Sequence, residues 1–424
     1  MKFGTQRIIR CAIALMLVVC TMFSLSSCLF AFDFYSDFLE NNQEDDKNGD
    51  FNIFPDFGGS GNDQGGSSII TPGSPNQGQL YPGSGEEDVE NVSALQKTLL
   101  STVIVHAEFF NSSVGSGVIV SIDKESGDAY IVTNYHVIYN ETYGVSGNIN
   151  IYLYGMELST YAIPATFVGG SVTFDIAVLR VEANEILKKS YANAATFASS
   201  DSICVFDTVY AVGNPEGYGI SASRGIVSVT SEDLDIEGAD GSEVSLRVIR
   251  FDAGVNSGNS GGGLYNSNGG LVGIVCAKRV GSNVDNMSYA IPSDLVHALV
   301  KNILDYCEGT EKTQVHRALM GVTITAYVTG VVIDPETGDI HQAELVEVME
   351  ISQGALAYGV MKVGDIINSI TVDGVTTTVS RLHHVTDSML YARVGSKVSL
   401  SITRDGKDMT VDFDITESCI TAVK

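Results

Sequence analysis

The sequence has no tryptophan, few basic residues and few long helical periodicities. These shortages argue against a helical protein and against a protein that binds nucleic acid. Its 44 glycines, with many valines, isoleucines and threonines, favour β-strands joined by tight turns over a helical protein. Only 24 Lys and Arg residues stand against 51 Asp and Glu residues, which gives a formal net charge of −27. Because a polyanion is repelled by such a charge, we expect no nucleic-acid partner.

Cysteine is also scarce outside the N-terminal region. Three of the seven cysteines belong to that region, and the other four are Cys204, Cys276, Cys307 and Cys419. These four show neither close pairing nor metal-ligand spacing, so we expect buried thiols in a large β core rather than disulfides or a metal site.

The N-terminus has the pattern of an export signal, with basic residues followed by an apolar run from Cys11 to about Phe23. The run leads to Cys28 in a stretch that resembles the lipobox of bacterial lipoproteins. We therefore predict a lipoprotein-type signal peptide over residues 1–27 and lipidation of Cys28, with an uncleaved membrane anchor as the alternative. Residues 28–92 are acidic and rich in Gly, Ser and Asn, which predicts a flexible spacer.

The remaining chain is long enough for more than one core, since domains commonly contain about 100 to 200 residues. From about Ser93 to Leu304, short apolar alternations are broken by Gly, Asn and Asp, which predicts antiparallel strands in two packed β-barrels. A helix is predicted from Ser293 to Cys307. The predicted domains are residues 93–308 and 315–424.

The stretch from Gly258 to Gly262 reads Gly-Asn-Ser-Gly-Gly and places Ser260 where its hydroxyl and nearby amides can act on one carbonyl. A serine nucleophile needs a base and a group that orients the base. His136 and Asp175 lie upstream in β-branched sequence, each at a predicted strand end. The order His, Asp, Ser is the chymotrypsin order. These residues predict a serine protease with its active site between the two barrels.

Each member of this set has its own predicted role. Ser260 attacks the scissile carbonyl, His136 takes and returns the proton, and Asp175 fixes the tautomer of His136 and stabilises the imidazolium. The backbone N–H groups of Gly258 and Ser260, with Asn259, are the predicted oxyanion hole, in which one donor contributes on the order of 3 kcal/mol. This chemistry requires no cofactor and no metal.

Several short blocks in sequence order resemble the HtrA (DegP/DegS-like) family of trypsin-fold serine proteases. The resemblance covers the chain from about residue 95 to the C-terminus and implies a mostly β fold, with a two-barrel chymotrypsin-like domain and one α+β PDZ domain. It also implies a homotrimer. The blocks are Gly115–Ile119, Thr133–Val137, Asp175–Leu179, Gly213–Pro215, Gly225–Ser228, Gly258–Gly262 and Tyr289–Pro292.

Two positions beside Ser260 depart from the family pattern. The family usually has proline where this chain has Ser257 and Gly263. Extra flexibility there would loosen the oxyanion loop in the resting state.

The resemblance also locates the pocket for the P1 side chain. In trypsin-like enzymes the residue six before the serine lies at the base of this pocket, and here that residue is Gly254. The walls are expected from Ile274, Val275 and Cys276. Without a buried acid to pair with Lys or Arg, we expect a preference for small or aliphatic P1 residues.

The C-terminal region resembles a PDZ domain of the kind attached to HtrA proteases. Its predicted peptide-binding loop is Leu319, Met320, Gly321 and Val322, followed by Lys362–Ile367 and Val372–Gly374. Such a domain binds an extended peptide at a sheet edge and captures the terminal carboxylate with backbone amides. The implied partners are unfolded polypeptides and polypeptides with an exposed C-terminus.

Together these observations predict a membrane-anchored, extracytoplasmic serine endopeptidase that acts in protein quality control in a bacterial envelope. Two alternatives stay open. The protein could be a chaperone that holds unfolded chains in a protease fold without cutting them. It could also be a sensor protease dedicated to one membrane partner.

Overall fold

The computed structural model describes residues 92–156, 159–278, 287–335 and 337–424, which belong to one compact unit. The predicted signal peptide, the lipidation site Cys28 and the spacer lie outside the described residues. None of the helices in the described part of the chain combines the length and the apolar composition that a membrane span requires.

The first barrel closes in the strand order β1-β2-β3-β8-β7-β6. Its alternating sequence gives alternating burial, as in β6, where Ile149, Ile151 and Leu153 are buried and the residues between them are partly exposed. A helix α1 (Ala94–Ser101) precedes the barrel, with the Ser93 side chain as its N-cap. The strands of this region are β1 (Thr102–Ala107), β2 (Ser113–Asp123), β3 (Asp128–Thr133), the hairpin β4 (Tyr139–Asn140) and β5 (Gly144–Val145), β6 (Ile149–Leu153), β7 (Ile163–Ser171) and β8 (Ile176–Val181). Two short helices accompany them, α2 (Tyr135–Ile138) and α3 (Glu185–Lys189).

The second barrel closes in the order β10-β11-β14-β13-β12-β9. The two closed barrels confirm the predicted mostly β, trypsin-like architecture. The strands are β9 (Thr208–Gly213), β10 (Ser221–Glu237), β11 (Glu243–Phe251), β12 (Gly263–Asn266), β13 (Leu271–Lys278) and β14 (Ser288–Pro292). Helix α4 (Ser293–Cys307) has the predicted bounds and contacts β13 of the second barrel and β7 of the first, so its apolar face helps to hold the barrels together.

The C-terminal sheet has the order β16-β17-β18-β20-β21, with β19 paired to β18, and its strand β16 is an edge strand. A separate core of buried residues from this sheet and from helix α5 (Leu382–Met389) supports it. This β-rich region is consistent with the predicted PDZ domain. Its strands are β16 (Val322–Ile333), β17 (Ile340–Ile351), β18 (Ile366–Val372), β19 (Val375–Thr378), β20 (Lys397–Arg404) and β21 (Lys407–Asp414), and the flanking strands β15 (Val315–Ala318) and β22 (Ile420–Val423) pair with each other.

The C-terminal sheet docks on the second barrel through charged side chains of α5. Asp387 forms an ion pair with Arg247 of β11. The side chain of Asp387 is 16% exposed and that of Arg247 is 12% exposed. His383 and His384 both contact the carboxylate of Asp201, which precedes β9. Apolar packing accompanies these polar contacts, since Leu390, which follows α5, is buried in the same core cluster as residues of the second barrel.

Candidate active site

His136 and Asp175 are brought together where β3 ends and β8 begins. His136 lies in α2, and its Nδ1 is 2.8 Å from Oδ2 and 3.1 Å from Oδ1 of Asp175. The backbone N–H of His136 also donates to Oδ1 of Asp175, at 3.1 Å. The carboxylate thus fixes both the ring and the backbone of the histidine, which leaves Nε2 as the atom that can accept a proton.

The loop that carries Asp175 is strained and firmly anchored. Asp175 has φ 48°, a left-handed conformation that is uncommon for a residue with a side chain. Its carbonyl oxygen accepts from Nδ2 of the buried Asn134, at 2.9 Å. On the other side, the carbonyl oxygen of Lys424 accepts from the N–H of Thr173 at 2.9 Å and from the hydroxyl of Ser171 at 2.7 Å. These hydrogen bonds therefore hold Asp175 in a backbone conformation that the residue rarely adopts, and they fix the position of its carboxylate.

The environment of His136 suits a general base. Burial works to lower the pKa of His136, but the charge of Asp175 and the hydrogen bond to it outweigh burial and raise the pKa. The histidine side chain remains 39% exposed, so a substrate can reach it.

The loop around Ser260 connects β11 to β12 and relies on glycines where no side chain fits. Gly258 has φ 92°, and a Cβ there would overlap the carbonyl oxygen of Asn214. Gly261 has φ 86°, and a Cβ there would overlap the carbonyl oxygen of Ser116. Both positions therefore require glycine for conformation and for space.

Ser116, in β2 of the first barrel, ties this loop to the rest of the site. Its N–H donates to the carbonyl oxygen of Ser260 at 2.8 Å, and its hydroxyl donates to the carbonyl oxygen of Gly258 at 2.7 Å. The same hydroxyl accepts from the N–H of Asn214 at 2.9 Å. One buried serine of the first barrel thus positions the Ser260 loop, which belongs to the second barrel.

The hydroxyl of Ser260 donates to the carbonyl oxygen of Cys276, at 3.4 Å. Among the described residues no hydrogen bond joins Ser260 to His136, so of the two contacts predicted within the triad the structure holds the His136–Asp175 pair. A rotation of the Ser260 side chain would be needed to form the other. Catalytic hydrogen bonds are often long or absent before substrate binds.

The predicted oxyanion hole needs one correction. The N–H of Asn259 donates to the carbonyl oxygen of Asn256 at 3.1 Å, because residues 256–259 form a tight turn. The amide of Asn259 is therefore occupied. In the described part of the chain, the N–H groups of Gly258 and Ser260 donate to no acceptor, so they stay the predicted donors.

The predicted walls of the P1 pocket also change. Ile274 and Val275 are 0% and 2% exposed and pack into core clusters, so neither side chain faces a substrate pocket. Strand β13 has an irregularity between Val275 and Ala277, and Cys276 turns its carbonyl oxygen toward Ser260. Gly254 is exposed, and no atom of the other described residues lies within 4 Å of the position of a Cβ there. The base of the predicted pocket is thus open, while two of its expected walls are core.

Gly263, one of the two departures from the family pattern, has a local explanation. The ring of Tyr265 occupies the space where a Cβ of Gly263 would lie. That ring is fully buried, and its hydroxyl is 3.3 Å from the hydroxyl of Ser101 at the end of α1. Gly263 is therefore packed under an aromatic ring, rather than being a loose position as the sequence had suggested. Ser257 is exposed, and its carbonyl oxygen accepts from the N–H of Glu216 at 2.7 Å.

The predicted peptide-binding loop lies at the start of edge strand β16. Gly321 has φ 76°, and the side chain of Met320 is buried in the core of the C-terminal sheet. The N–H of Leu319 donates to the carbonyl oxygen of Cys419 at 2.8 Å, which removes it from the predicted set of free amides. The N–H groups of Met320 and Gly321 donate to no acceptor within the described residues. Val322 begins β16.

Sequence reasoning missed the residues that hold the site together. Ser116, Asn134 and Asn214 stand inside blocks that were recognised as motifs, but no role was predicted for their side chains. The signal was present, because small polar residues inside apolar strand ends must find hydrogen-bond partners when they are buried. Their partners, however, lie on other strands and could not be read from the sequence.

The burial of the four cysteines outside the N-terminal region was predicted, and three of them are buried. Cys204, Cys276 and Cys307 are buried, and Cys419 is half-buried. Groups of side chains that could hold a metal ion occur away from Ser260, at the contact between the second barrel and the C-terminal sheet. They are Asp201, His383 and His384, and Cys204, Asp339 and His341.

Comparison with known proteins gives consistent matches. A family model described as a trypsin-like peptidase domain matches residues 115–274. The serine protease Do-like HtrA of Lactococcus lactis subsp. cremoris (strain MG1363) is 30% identical over 325 residues, which are 72% of this chain and 72% of that protein. The periplasmic serine endoprotease DegP of Escherichia coli (strain K12) is 31% identical over 310 residues, which are 72% of this chain and 57% of DegP.

A solved structure gives the same result for the fold. The HtrA-type protease AlgW with tripeptide has a TM-score of 0.51 and 26% sequence identity, and the match covers 76% of this chain and 95% of AlgW.

Proposed function

Since the chain belongs to the HtrA family of trypsin-like serine endopeptidases, we propose that it cleaves unfolded or regulatory proteins outside the cytoplasm and binds peptide C-termini through its C-terminal sheet. Peptide-bond hydrolysis through an acyl-enzyme is the chemistry of this class of enzyme. Envelope quality control is the process that such an activity serves. A homotrimer is the assembly that the family resemblance favours.

One observation carries the proposed catalytic roles. His136 is fixed by Asp175 through two contacts to its ring and backbone, while Ser116 anchors the Ser260 loop to the same barrel. Ser260 then acts as the nucleophile and His136 as the general base. Asp175 holds the tautomer of His136 in which Nε2 is unprotonated. The N–H groups of Gly258 and Ser260 would receive the developing oxyanion.

The open space beside Gly254 supports the proposed substrate preference. No side chain of the described residues lies within 4 Å of a Cβ placed at Gly254, and Gly254 itself carries no charge to pair with a basic P1 residue. Small and aliphatic P1 residues are therefore the proposed substrates, and efficient cleavage after Lys or Arg would contradict this proposal.

Two features of the C-terminal sheet support peptide recognition. The N–H groups of Met320 and Gly321 are available to a terminal carboxylate, and β16 presents a free strand edge beside them. AlgW, which shares the fold, was solved with a tripeptide. The proposed ligand is an extended peptide with a free, hydrophobic C-terminus that adds to β16.

The location outside the cytoplasm is supported by the description of DegP as periplasmic and by the predicted export signal. The proposed tether is a lipid on Cys28, with an uncleaved anchor as the alternative. Metabolic labelling with a fatty-acid analogue tests the tether. The label should enter the parent and be lost from Cys28→Ala.

The enzymatic proposal is tested by comparing the parent with Ser260→Ala on reduced casein, with and without a hydrophobic C-terminal peptide. Cleavage by the parent alone is expected, and the peptide should increase its rate. Suppressed aggregation of casein by both proteins, without cleavage by either, would instead support the holding chaperone. Cleavage of one membrane protein with no cleavage of casein would support the sensor protease.

A further inference from the structure

The turn before β9 meets the hairpin between β16 and β17 at a set of metal-ligating side chains. The Sγ atom of the buried Cys204 lies 3.7 Å from Nε2 of His341. The carboxylate of Asp339 completes a group in which all three ligand atoms lie within 4.8 Å of one another. Cys204 belongs to the second barrel, while Asp339 and His341 belong to the C-terminal sheet.

We propose that Cys204, His341 and Asp339 bind a zinc ion that links the protease part of the chain to its C-terminal sheet. A thiolate, an imidazole and a carboxylate are all zinc ligands, whereas magnesium and calcium prefer oxygen ligands alone. With Zn–S of about 2.3 Å and Zn–N of about 2.0 Å, tetrahedral geometry places sulfur and nitrogen about 3.5 Å apart. The observed distance of 3.7 Å between Sγ of Cys204 and Nε2 of His341 is close to this value, so only a small movement is needed to bind the ion. A water molecule would complete the coordination.

The charges around the thiol favour a cation. The carboxylates of Asp339, Asp207 and Asp334 all lie near enough to act on the thiol of Cys204, so the surroundings of the sulfur are negatively charged. A metal ion would release the thiol proton and neutralise part of this negative charge.

The backbone already holds the ligands in place. The N–H of Cys204 donates to Oδ2 of Asp207 at 2.8 Å, and the N–H of Asp207 donates to the carbonyl oxygen of Cys204 at 3.1 Å. In the hairpin, the N–H of Asp334 donates to the carbonyl oxygen of Asp339 at 2.8 Å. His341 also lines a cavity of about 510 Å³ between the two parts, which gives an ion a route to the site.

The neighbouring group of Asp201, His383 and His384 does not suit a metal. The N–H of Ser380 donates to Nδ1 of His384 at 3.2 Å, so the proton of the neutral ring must lie on Nε2. That Nε2 donates to Asp201 at 3.0 Å and has no lone pair for a metal ion. Hydrogen bonds from His383 and His384 hold the pKa of Asp201 well below its usual range even though burial opposes this. This group is a hydrogen-bonded clamp, and it supplies a matched control.

The experiment titrates the full chain, purified in detergent and stripped of metal, with Co²⁺ and then with Zn²⁺. The parent should bind one Co²⁺ at this site with a thiolate-to-cobalt charge-transfer band, and Zn²⁺ should displace it. Cys204→Ser should lose the band. His341→Gln and Asp339→Asn should weaken binding at least about tenfold, since even outer-shell changes reach this size in known sites. His384→Gln should bind like the parent.

Three results would overturn the proposal. In the first, the parent binds Co²⁺ without the thiolate-to-cobalt band. In the second, the band persists in Cys204→Ser because the N-terminal cysteines supply it. In the third, only His384→Gln loses metal binding. Unfolding temperatures keep the test independent of folding defects. Without metal the Asp339→Asn variant should unfold like the parent, and Zn²⁺ should raise the unfolding temperature of the parent and of His384→Gln but not of Cys204→Ser.

Discussion

At the residue scale, the site depends on a few buried polar atoms whose partners are fixed. Asp175 determines where the proton of His136 lies, and Ser116 determines where the Ser260 loop lies. Single substitutions at these two positions should therefore separate proton transfer from loop position.

Asp175→Asn should lower kcat/KM by roughly 10⁴-fold, because an amide selects the wrong tautomer of the histidine. The acidic limb of the pH profile should also move. Since Asp175 raises the pKa of His136 and burial lowers it, removal of the charge should shift the limb to lower pH. Hydrolysis of a fluorogenic peptide across pH 5 to 9 measures both effects. An unmoved limb would contradict the assignment of His136, and Asp235→Asn on β10 is the control.

Ser116→Ala should lower kcat about 10- to 100-fold while KM changes little, because it leaves the N–H of Asn214 and the carbonyl oxygen of Gly258 without their partner. Loss of a buried hydrogen bond costs about 1–3 kcal/mol, which corresponds to this range of rates. Steady-state kinetics measure the change. Ser267→Ala, an exposed serine on the second barrel, should keep the parent's rate. Equal losses in both variants would contradict a positioning role for Ser116.

At the element scale, the strands and α4 followed from alternation and apolar periodicity, and so did the positions of His136 and Asp175 at strand ends. The P1 walls did not follow, because β13 is buried on both faces, with Ile274 and Val275 in separate core clusters. The role of Gly263 did not follow either, since it depends on the fold of the Tyr265 ring over its own strand. Sequence patterns report the period of an element but not which other elements cover its two faces.

Gly263→Ala should lower the stability by about 1–3 kcal/mol, the usual cost of overpacking a core, because the new methyl group would overlap the Tyr265 ring. Thermal unfolding followed by circular dichroism measures the loss. The double variant Gly263→Ala/Tyr265→Leu should be less destabilised than the sum of its single variants. Additive losses would show that the glycine and the ring are independent.

At the scale of the whole molecule, the barrels and the C-terminal sheet are joined by charged groups from distant parts of the chain. Arg247 and Asp387 are 140 residues apart, and Cys204 and His341 are 137 residues apart. No local pattern could have predicted these pairs, because the sequence specifies each element separately and the docking arises only when the elements meet. The presence of a C-terminal β-rich unit was predictable, whereas the position at which it docks on the second barrel was not.

Asp387→Ala should destabilise the protein by about 3 kcal/mol or more, because it leaves the mostly buried Arg247 without its partner. Burial raises the pKa of Asp387 to about 6 even beside Arg247, so the cost of burying the carboxylate exceeds the attraction between the two groups. The double variant Arg247→Met/Asp387→Leu should therefore be about as stable as the parent. Chemical denaturation measures both, and a double variant less stable than Asp387→Ala would contradict this account.

The contact between Lys424 and the Asp175 loop sets an order of events during synthesis. The hydroxyl of Thr173 donates to the carbonyl oxygen of Lys424, which is 251 residues further along the chain. A ribosome makes the N-terminal part of a protein first, and a loop whose partner is so distant stays incomplete until that partner emerges. A nascent or truncated chain therefore carries His136 and Ser260 without a fully braced Asp175 loop. The complete brace of the Asp175 loop therefore forms only once residue 424 is in place.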